Sequence, residues 1–95
     1  DSQYNEELAY LKVDAQYNYA VNSLDTKQKE RFGEASAFYL ALIDKYPGSN
    51  YLKQAEKMYA ISIKEVERIK TLEKEKEKQK QIDANRPAKV TAASN

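Results

Sequence analysis

The stretch IDKYPGSNYLKQAEKMY, residues 43–59, decides the fold because it ends one helix-like run and immediately starts another. Pro47 has no amide proton and disfavours helical backbone at the residue before it, so the first run must end here. Gly48 readily adopts the conformations that a turn requires. Ser49 or Asn50 can then cap the next helix by accepting a hydrogen bond from a free amide. The stretch therefore predicts a tight corner between two antiparallel helices.

Apolar residues recur every three or four positions on both sides of this corner, which is the spacing of amphipathic helices rather than strands. The predicted helices cover residues 3–24 and 26–45, and a third begins near Tyr51 and keeps its apolar row to Leu72. A first corner is predicted at residues 23–25. The pattern predicts an all-α fold of about three helices joined as antiparallel hairpins.

Several sequence features predict how the second helix is capped, packed and buried. Asp25 and Gln28 have the spacing of a capping box at its N-terminus. Gly33 weakens the helix and is expected to mark close packing. Residues 37–43 are apolar without a break, which predicts a central helix buried nearly all round. The expected core rows are Phe32, Ala35, Tyr39, Leu42 and Tyr46 in this helix, and Leu52, Ala55, Tyr59, Ile63, Val66 and Ile69 in the third.

Composition argues against several function classes. The 95 residues suffice for one small domain, and they include neither cysteine nor histidine. Disulfides, thiolate catalysis and Cys-type zinc sites are therefore excluded, and the commonest general base is missing. A net charge of +1 gives no overall attraction to nucleic acid. No apolar run approaches the ~20 residues that cross a bilayer. We expect a protein that is not an enzyme, with no cofactor, no metal and no nucleic-acid partner.

Charge divides the chain into three predicted parts. Residues 1–72 carry the apolar rows and should form the helical domain. Residues 73–82, which include the run EKEKEKQKQ, should extend the third helix as a charged segment in which favourable side-chain pairs each contribute only ~0.2–0.5 kcal/mol. Residues 83–95 have no apolar period and contain Pro87, so we expect a disordered tail.

The second helix also resembles part of a known repeat. Ala35 followed four residues later by Tyr39, with Pro47 closing the unit, resembles the second half of a tetratricopeptide repeat, a helical hairpin of about 34 residues. In that repeat a small residue lets a neighbouring helix approach, an aromatic side chain fills the gap, and proline ends the unit. The expected fold is therefore tetratricopeptide-like.

Residues 17–59 resemble the C-terminal repeats of BamD-type outer-membrane assembly lipoproteins, most closely the forms from Bacteroidetes. Four stretches carry the resemblance: YAVNS (residues 19–23), KQKERF (27–32), YPGS (46–49) and YLKQAEKMY (51–59). The resemblance covers about half of the chain. The charged segment and the tail match no motif of the family.

This resemblance implies a non-catalytic scaffold on the periplasmic face of the outer membrane. The family carries its lipid anchor on a cysteine at the mature N-terminus, so this chain would be a C-terminal fragment whose anchor lies upstream. The implied partners are the periplasmic domains of the BamA-type barrel insertase and other subunits of the assembly complex. The alternative is another periplasmic tetratricopeptide adaptor, acting in envelope or cell-division coordination.

Two surfaces are expected to bind proteins. The outer face of the first helix presents Tyr4, Leu8 and Leu11 without an internal mate, so it should pack on a preceding repeat and could make the isolated fragment dimerise. The resemblance assigns the helix ends to the insertase. The candidate partner-binding residues there are Lys27, Arg31, Tyr46 and Lys53.

Overall fold

The computed structural model describes residues 2–86, which fold into three α-helices. They are α1 (Ser2–Val21), α2 (Asp25–Lys45) and α3 (Leu52–Asn85). No strand occurs within residues 2–86. The predicted all-α fold is confirmed, and both corners lie where the sequence placed them.

Contacts between the helices establish their directions. The side-chain amide of Gln16, late in α1, donates to the carbonyl oxygen of Arg31 near the start of α2, at 3.2 Å. Lys29, also near the start of α2, forms a 2.9 Å ion pair with Glu73 in the second half of α3. Each neighbour therefore runs antiparallel to α2. The predicted hairpins and the central position of α2 are both confirmed.

The core lies where the three helices meet. It contains the predicted row of α2 as far as Leu42, whereas Tyr46 stays partly exposed at the end of the helix. The fully or nearly fully buried apolar side chains are Val13 and Ala20 from α1, Phe32, Ala35, Tyr39 and Leu42 from α2, and Ala55 from α3. Ala35 is 1% exposed, so the small side chain lies at a helix contact, as its place in the repeat pattern predicted.

The corner after α2 is built as its sequence predicted. The amide of Tyr46 still donates to the carbonyl oxygen of Leu42 at 2.8 Å, but its dihedral angles, φ −131° and ψ 65°, leave the helix. The Ser49 amide then donates to the carbonyl oxygen of Tyr46. The Ser49 hydroxyl accepts a 3.1 Å hydrogen bond from the amide of Tyr51, which satisfies a donor at the start of α3.

The predicted capping box at the start of α2 does not form. Leu24 precedes the helix and Asp25 is its first residue, so the Asp25 carboxylate lies in the first turn, where it favours the helix dipole. Gln28 donates instead to the carbonyl oxygens of Ala20 and Val21, at 3.1 and 3.4 Å. It therefore caps the C-terminus of α1, whose last carbonyls have no partner within their own helix.

The prediction that α2 is buried nearly all round is wrong. Ala37, Leu40, Ala41 and Ile43 are exposed, with Leu40 51% accessible, because two neighbouring helices cover only part of the circumference. The expectation of close packing at Gly33 is also wrong. A Cβ atom at that position would meet nothing within 4 Å.

The buried face of α3 follows the predicted row only in part: Ala55 is fully buried, whereas Leu52, Tyr59, Val66 and Ile69 are partly buried. Ser62 is fully buried, whereas Ile63 is 40% exposed. Ala55 and Ser62 are seven residues apart, which is close to two full turns, so both lie on the face towards α2. The Ser62 hydroxyl donates to the carbonyl oxygen of Met58 at 2.7 Å, which satisfies this polar group inside the core.

The third helix continues through the charged segment. Its 34 residues correspond to a length of ~51 Å. All side chains from residue 70 to residue 86 are exposed. The predicted long charged C-terminal helix is thus confirmed. It reaches Asn85, inside the predicted tail, and residues 87–95 of that tail lie outside the described part of the chain.

Candidate interaction surfaces

The features described below are surfaces formed by the three helices. No group of three or more metal-ligating side chains occurs within residues 2–86. The same part of the chain contains no helix that is both long and apolar enough to cross a membrane. The surface features are two helix ends that carry the predicted partner residues, a groove, an apolar stripe and a pair of stacked tyrosines.

The structure separates the four predicted partner-binding residues into two pairs. Lys27 and Arg31 lie in the first two turns of α2, whereas Tyr46 and Lys53 flank the corner that follows it. Arg31 and Tyr46 are fifteen positions apart, which corresponds to ~22 Å along a helix. The predicted residues therefore mark two sites at opposite ends of α2.

At the start of α2, the Arg31 side chain is held by contacts within the protein. Its guanidinium carbon lies 4.1 Å from the ring centroid of Tyr19, and its Nη1 donates to the hydroxyl of Ser23 at 2.8 Å. These contacts hold the α1–α2 corner against α2. Lys27 is exposed and forms no ion pair within residues 2–86. Lys27 therefore supplies the more exposed positive charge at this end.

At the other end, Tyr46 is also partly structural. Its ring packs against the core, and the Lys45 ammonium lies 5.8 Å from the ring centroid. Lys53 is exposed and has no ion-pair partner in the described chain. Lys53 is thus the more accessible of the two predicted residues at this corner.

A groove of about 450 Å³ lies between α1 and α2 and ends at Tyr46. Sequence reasoning did not find it, because its two walls come from different helices. The signal available in α2 was a second set of residues beside the core row, Phe38, Ala41 and Lys45, at spacings of three and four. The remaining lining residues are Asn5, Leu8, Ala9, Lys12, Leu42 and Tyr46.

An apolar stripe follows the outer side of α1. We define it as Tyr4, Leu8, Leu11 and Ala15, which are spaced by four, three and four residues. The first three are 61%, 41% and 45% exposed, and Ala15 is exposed as well. Val13, on the opposite side of α1, is fully buried. The prediction that this face has no internal mate is confirmed for residues 2–86.

Two tyrosines join the first helix to the start of the third. The rings of Tyr10 and Tyr51 stack with centroids 4.7 Å apart. Their hydroxyls donate to Gln54 at 3.0 Å and to Glu7 at 3.4 Å. Burial raises the pKa of Tyr10, with a further contribution from Asp14. Both rings are therefore used in packing, although they remain partly exposed.

Comparison with known proteins leaves the family open. No family model, curated protein or solved structure matches the chain. The resemblance to BamD-type lipoproteins rests on the sequence motifs alone.

Proposed function

We propose that the protein is a non-catalytic scaffold of the outer-membrane barrel assembly machinery, acting on the periplasmic face of the membrane. The observation that carries the scaffold role is the apolar stripe on α1. Contiguous exposed apolar side chains on one helix face are typical of protein-binding surfaces. The motifs in residues 17–59 support the choice of machinery, since they resemble the lipoproteins that bind the barrel insertase.

In this proposal the two kinds of surface have different partners. The stripe packs on a preceding helical repeat of the full-length protein, because each unit of a repeat array buries its faces against its neighbours. The two ends of α2 bind the periplasmic domains of the BamA-type insertase and of other subunits. Lys27 and Lys53 supply exposed positive charge there, which speeds association with an acidic surface.

The partner assignment is tested by measuring association of the chain with the isolated periplasmic domains of the insertase, by surface plasmon resonance at two salt concentrations. Lys27→Glu and Lys53→Glu should each slow association, and the slowing should shrink at high salt. Lys64→Glu is the matched control. Lys64 is exposed on α3 away from both ends of α2, and its substitution changes the net charge by the same amount. Arg31→Glu needs a check of helicity by circular dichroism, since it also removes the contact with Tyr19.

Absence of binding by the unmodified chain would refute the insertase as partner. An equal effect of Lys64→Glu would show that only net charge matters, and the two helix ends would then be discarded as the binding surface. Slower association of the Lys27→Glu and Lys53→Glu variants, with no effect of Lys64→Glu, would support both the partner and the surface.

The stripe has its own test in the isolated chain. Without the preceding repeat, the exposed side chains should associate with those of a second copy and give a concentration-dependent dimer. Leu11→Glu places a charge in the middle of the stripe without touching the buried face of α1. Sedimentation equilibrium should show the dimer weakened in this variant and retained in Lys64→Glu. A chain that stays monomeric at high micromolar concentration would contradict self-association through this face.

A further inference from the structure

We propose that the groove between α1 and α2 binds an acidic peptide segment in which one leucine-sized side chain lies between two carboxylates. This inference concerns a groove that reaches the C-terminal end of α2 and shares Tyr46 with the predicted insertase site, but its test uses Lys12 and Lys45 rather than Lys27 and Lys53. It can succeed or fail independently of that assignment.

The floor and walls of the groove are apolar. Leu42 is fully buried at its base, and Phe38 and Ala41 continue the α2 wall. Leu8 forms part of the α1 wall and is 41% exposed, so the groove is continuous with the outer stripe. The volume of about 450 Å³ falls within the ~300–1,000 Å³ typical of ligand sites. An inserted apolar side chain would remove exposed apolar surface from water.

The edges of the groove are positively charged. Lys12 and Lys45 are the charged residues that line it, and no carboxylate does. Neither lysine forms an ion pair within residues 2–86. Their ammonium groups lie 5.9 Å from the Phe38 ring and 5.8 Å from the Tyr46 ring, contacts that leave both charges available. The site therefore presents an apolar cleft with unpaired positive charge at its edges and favours an anionic apolar ligand.

The positions of the two lysines suggest the spacing of the ligand's charges. Lys12 lies over Phe38 and Lys45 over Tyr46, and these aromatic residues are eight positions apart. Eight residues of helix correspond to ~12 Å. An extended peptide advances ~3.3 Å per residue, so its two carboxylates should be three or four positions apart. A leucine between them would then lie over the apolar floor.

This arrangement favours a peptide over a fatty acid. A fatty acid carries one carboxylate at one end, whereas the groove has a cation beside each of two aromatic residues that are separated along α2. Two lysines also give too small a positive surface for nucleic acid, which binds proteins through many phosphate contacts. A segment with two acidic residues flanking an apolar one uses both edges and the floor together.

The probe is a short fluorescein-labelled peptide with two glutamates three positions apart, a leucine between them and neutral polar residues elsewhere. Binding to the 95-residue chain is followed by fluorescence anisotropy. Lys12→Gln and Lys45→Gln should each weaken binding about two- to fivefold, which is the range for exposed ion pairs. The double variant should lose most of the salt dependence. Lys64→Gln is the control and should bind as the unmodified chain does, and circular dichroism should show equal helicity in all four.

A second pair of measurements tests the floor. The peptide with alanine in place of leucine should bind more weakly, and Ala41→Glu should abolish binding by placing a carboxylate inside the groove. The proposal is overturned if the double lysine variant binds the peptide as well as the unmodified chain does. It is also overturned if the leucine can be replaced without loss, or if laurate binds the groove and the peptide does not.

Discussion

Replacing Gly33 with alanine is expected to stabilise the protein. Gly33 lies inside α2, has no positive φ angle, and offers open space to an added Cβ atom. Alanine is more favourable than glycine in a helix interior by about 0.8–1.0 kcal/mol. No steric cost offsets this gain, because nothing lies within 4 Å of the new methyl group. In a domain of this size, 1 kcal/mol raises the melting temperature by about 4–8 °C.

The assay is guanidinium chloride unfolding followed by far-ultraviolet circular dichroism. The slope of the unfolding free energy against denaturant concentration should be the same in all variants. Ala35→Leu is the paired variant on the same helix. Ala35 is 1% exposed at a helix contact, so the larger side chain should cost ~1–3 kcal/mol through overpacking. The reasoning fails if Gly33→Ala destabilises the chain, since that would show a close neighbour at Gly33. A neutral Ala35→Leu would show that the core contact is looser than the burial indicates.

Three further outcomes are expected. Leu42→Ala should lower the free energy of unfolding by ~2–5 kcal/mol in the same assay, because Leu42 is fully buried in the core, and a loss below 1 kcal/mol would contradict that burial. Truncation after residue 72 should cost less than ~1 kcal/mol, because the described part it removes is exposed and its one ion pair with α2, Lys29–Glu73, is itself half-exposed; truncation after Glu73 is the control that keeps this pair. Stability should also fall in strong alkali: burial, with Glu56 and Tyr59 nearby, raises the pKa of Tyr39 above 10, so the folded chain holds that proton more tightly than the unfolded chain does. This contribution is complete below about pH 10 and is lost as pH rises through the folded pKa, and Tyr39→Phe should flatten the decline in unfolding measured from pH 9 to 12.

Local chemistry was enough to predict the corner after α2. Proline removes a donor, and Ser49 can satisfy another within two residues, so tertiary structure was not needed to place the turn. The start of α2 was harder, because Gln28 has two available sets of partners. Its sequence spacing from Asp25 suggested bonds within its own helix, whereas the fold places it beside the unsatisfied carbonyls of α1. A competing tertiary contact of this kind is invisible in the sequence.

The buried face of α3 shows a second limit of sequence patterns. Ile63 fitted an apolar row by residue type, but helix geometry aligns Ser62 with Ala55 more closely than Ile63. The serine is tolerated because its hydroxyl bonds the carbonyl of Met58 one turn earlier. A search for apolar residues alone therefore selects the wrong neighbour whenever a small polar side chain can satisfy itself locally.

The same distinction applies to the interaction surfaces: a surface on one helix can be predicted from the sequence, whereas a surface between two helices cannot. The stripe on α1 was predictable because it lies on one helix, where spacing alone places Leu8 and Leu11 on the same side. The groove was not, because it exists only where α1 and α2 lie side by side. Lys12 and Lys45 are distant in sequence, and only the antiparallel pairing of their helices puts them at the edges of the same cleft.

The distance between Lys27 and Lys53 limits what can bind there. Lys27 lies in the first turn of α2, and Lys53 lies in the first turn of α3, across the corner from the other end of α2, whose 21 residues correspond to ~31 Å. A small partner domain contacting one end would leave the other free, whereas a partner that follows the whole helix would contact both. With one long partner, Lys27→Glu and Lys53→Glu should slow the same association reaction, and their effects should add because such distant sites are independent. With two partners, each variant should slow only one reaction. The pattern of effects across separately purified insertase domains therefore distinguishes a single extended interface from two docking sites.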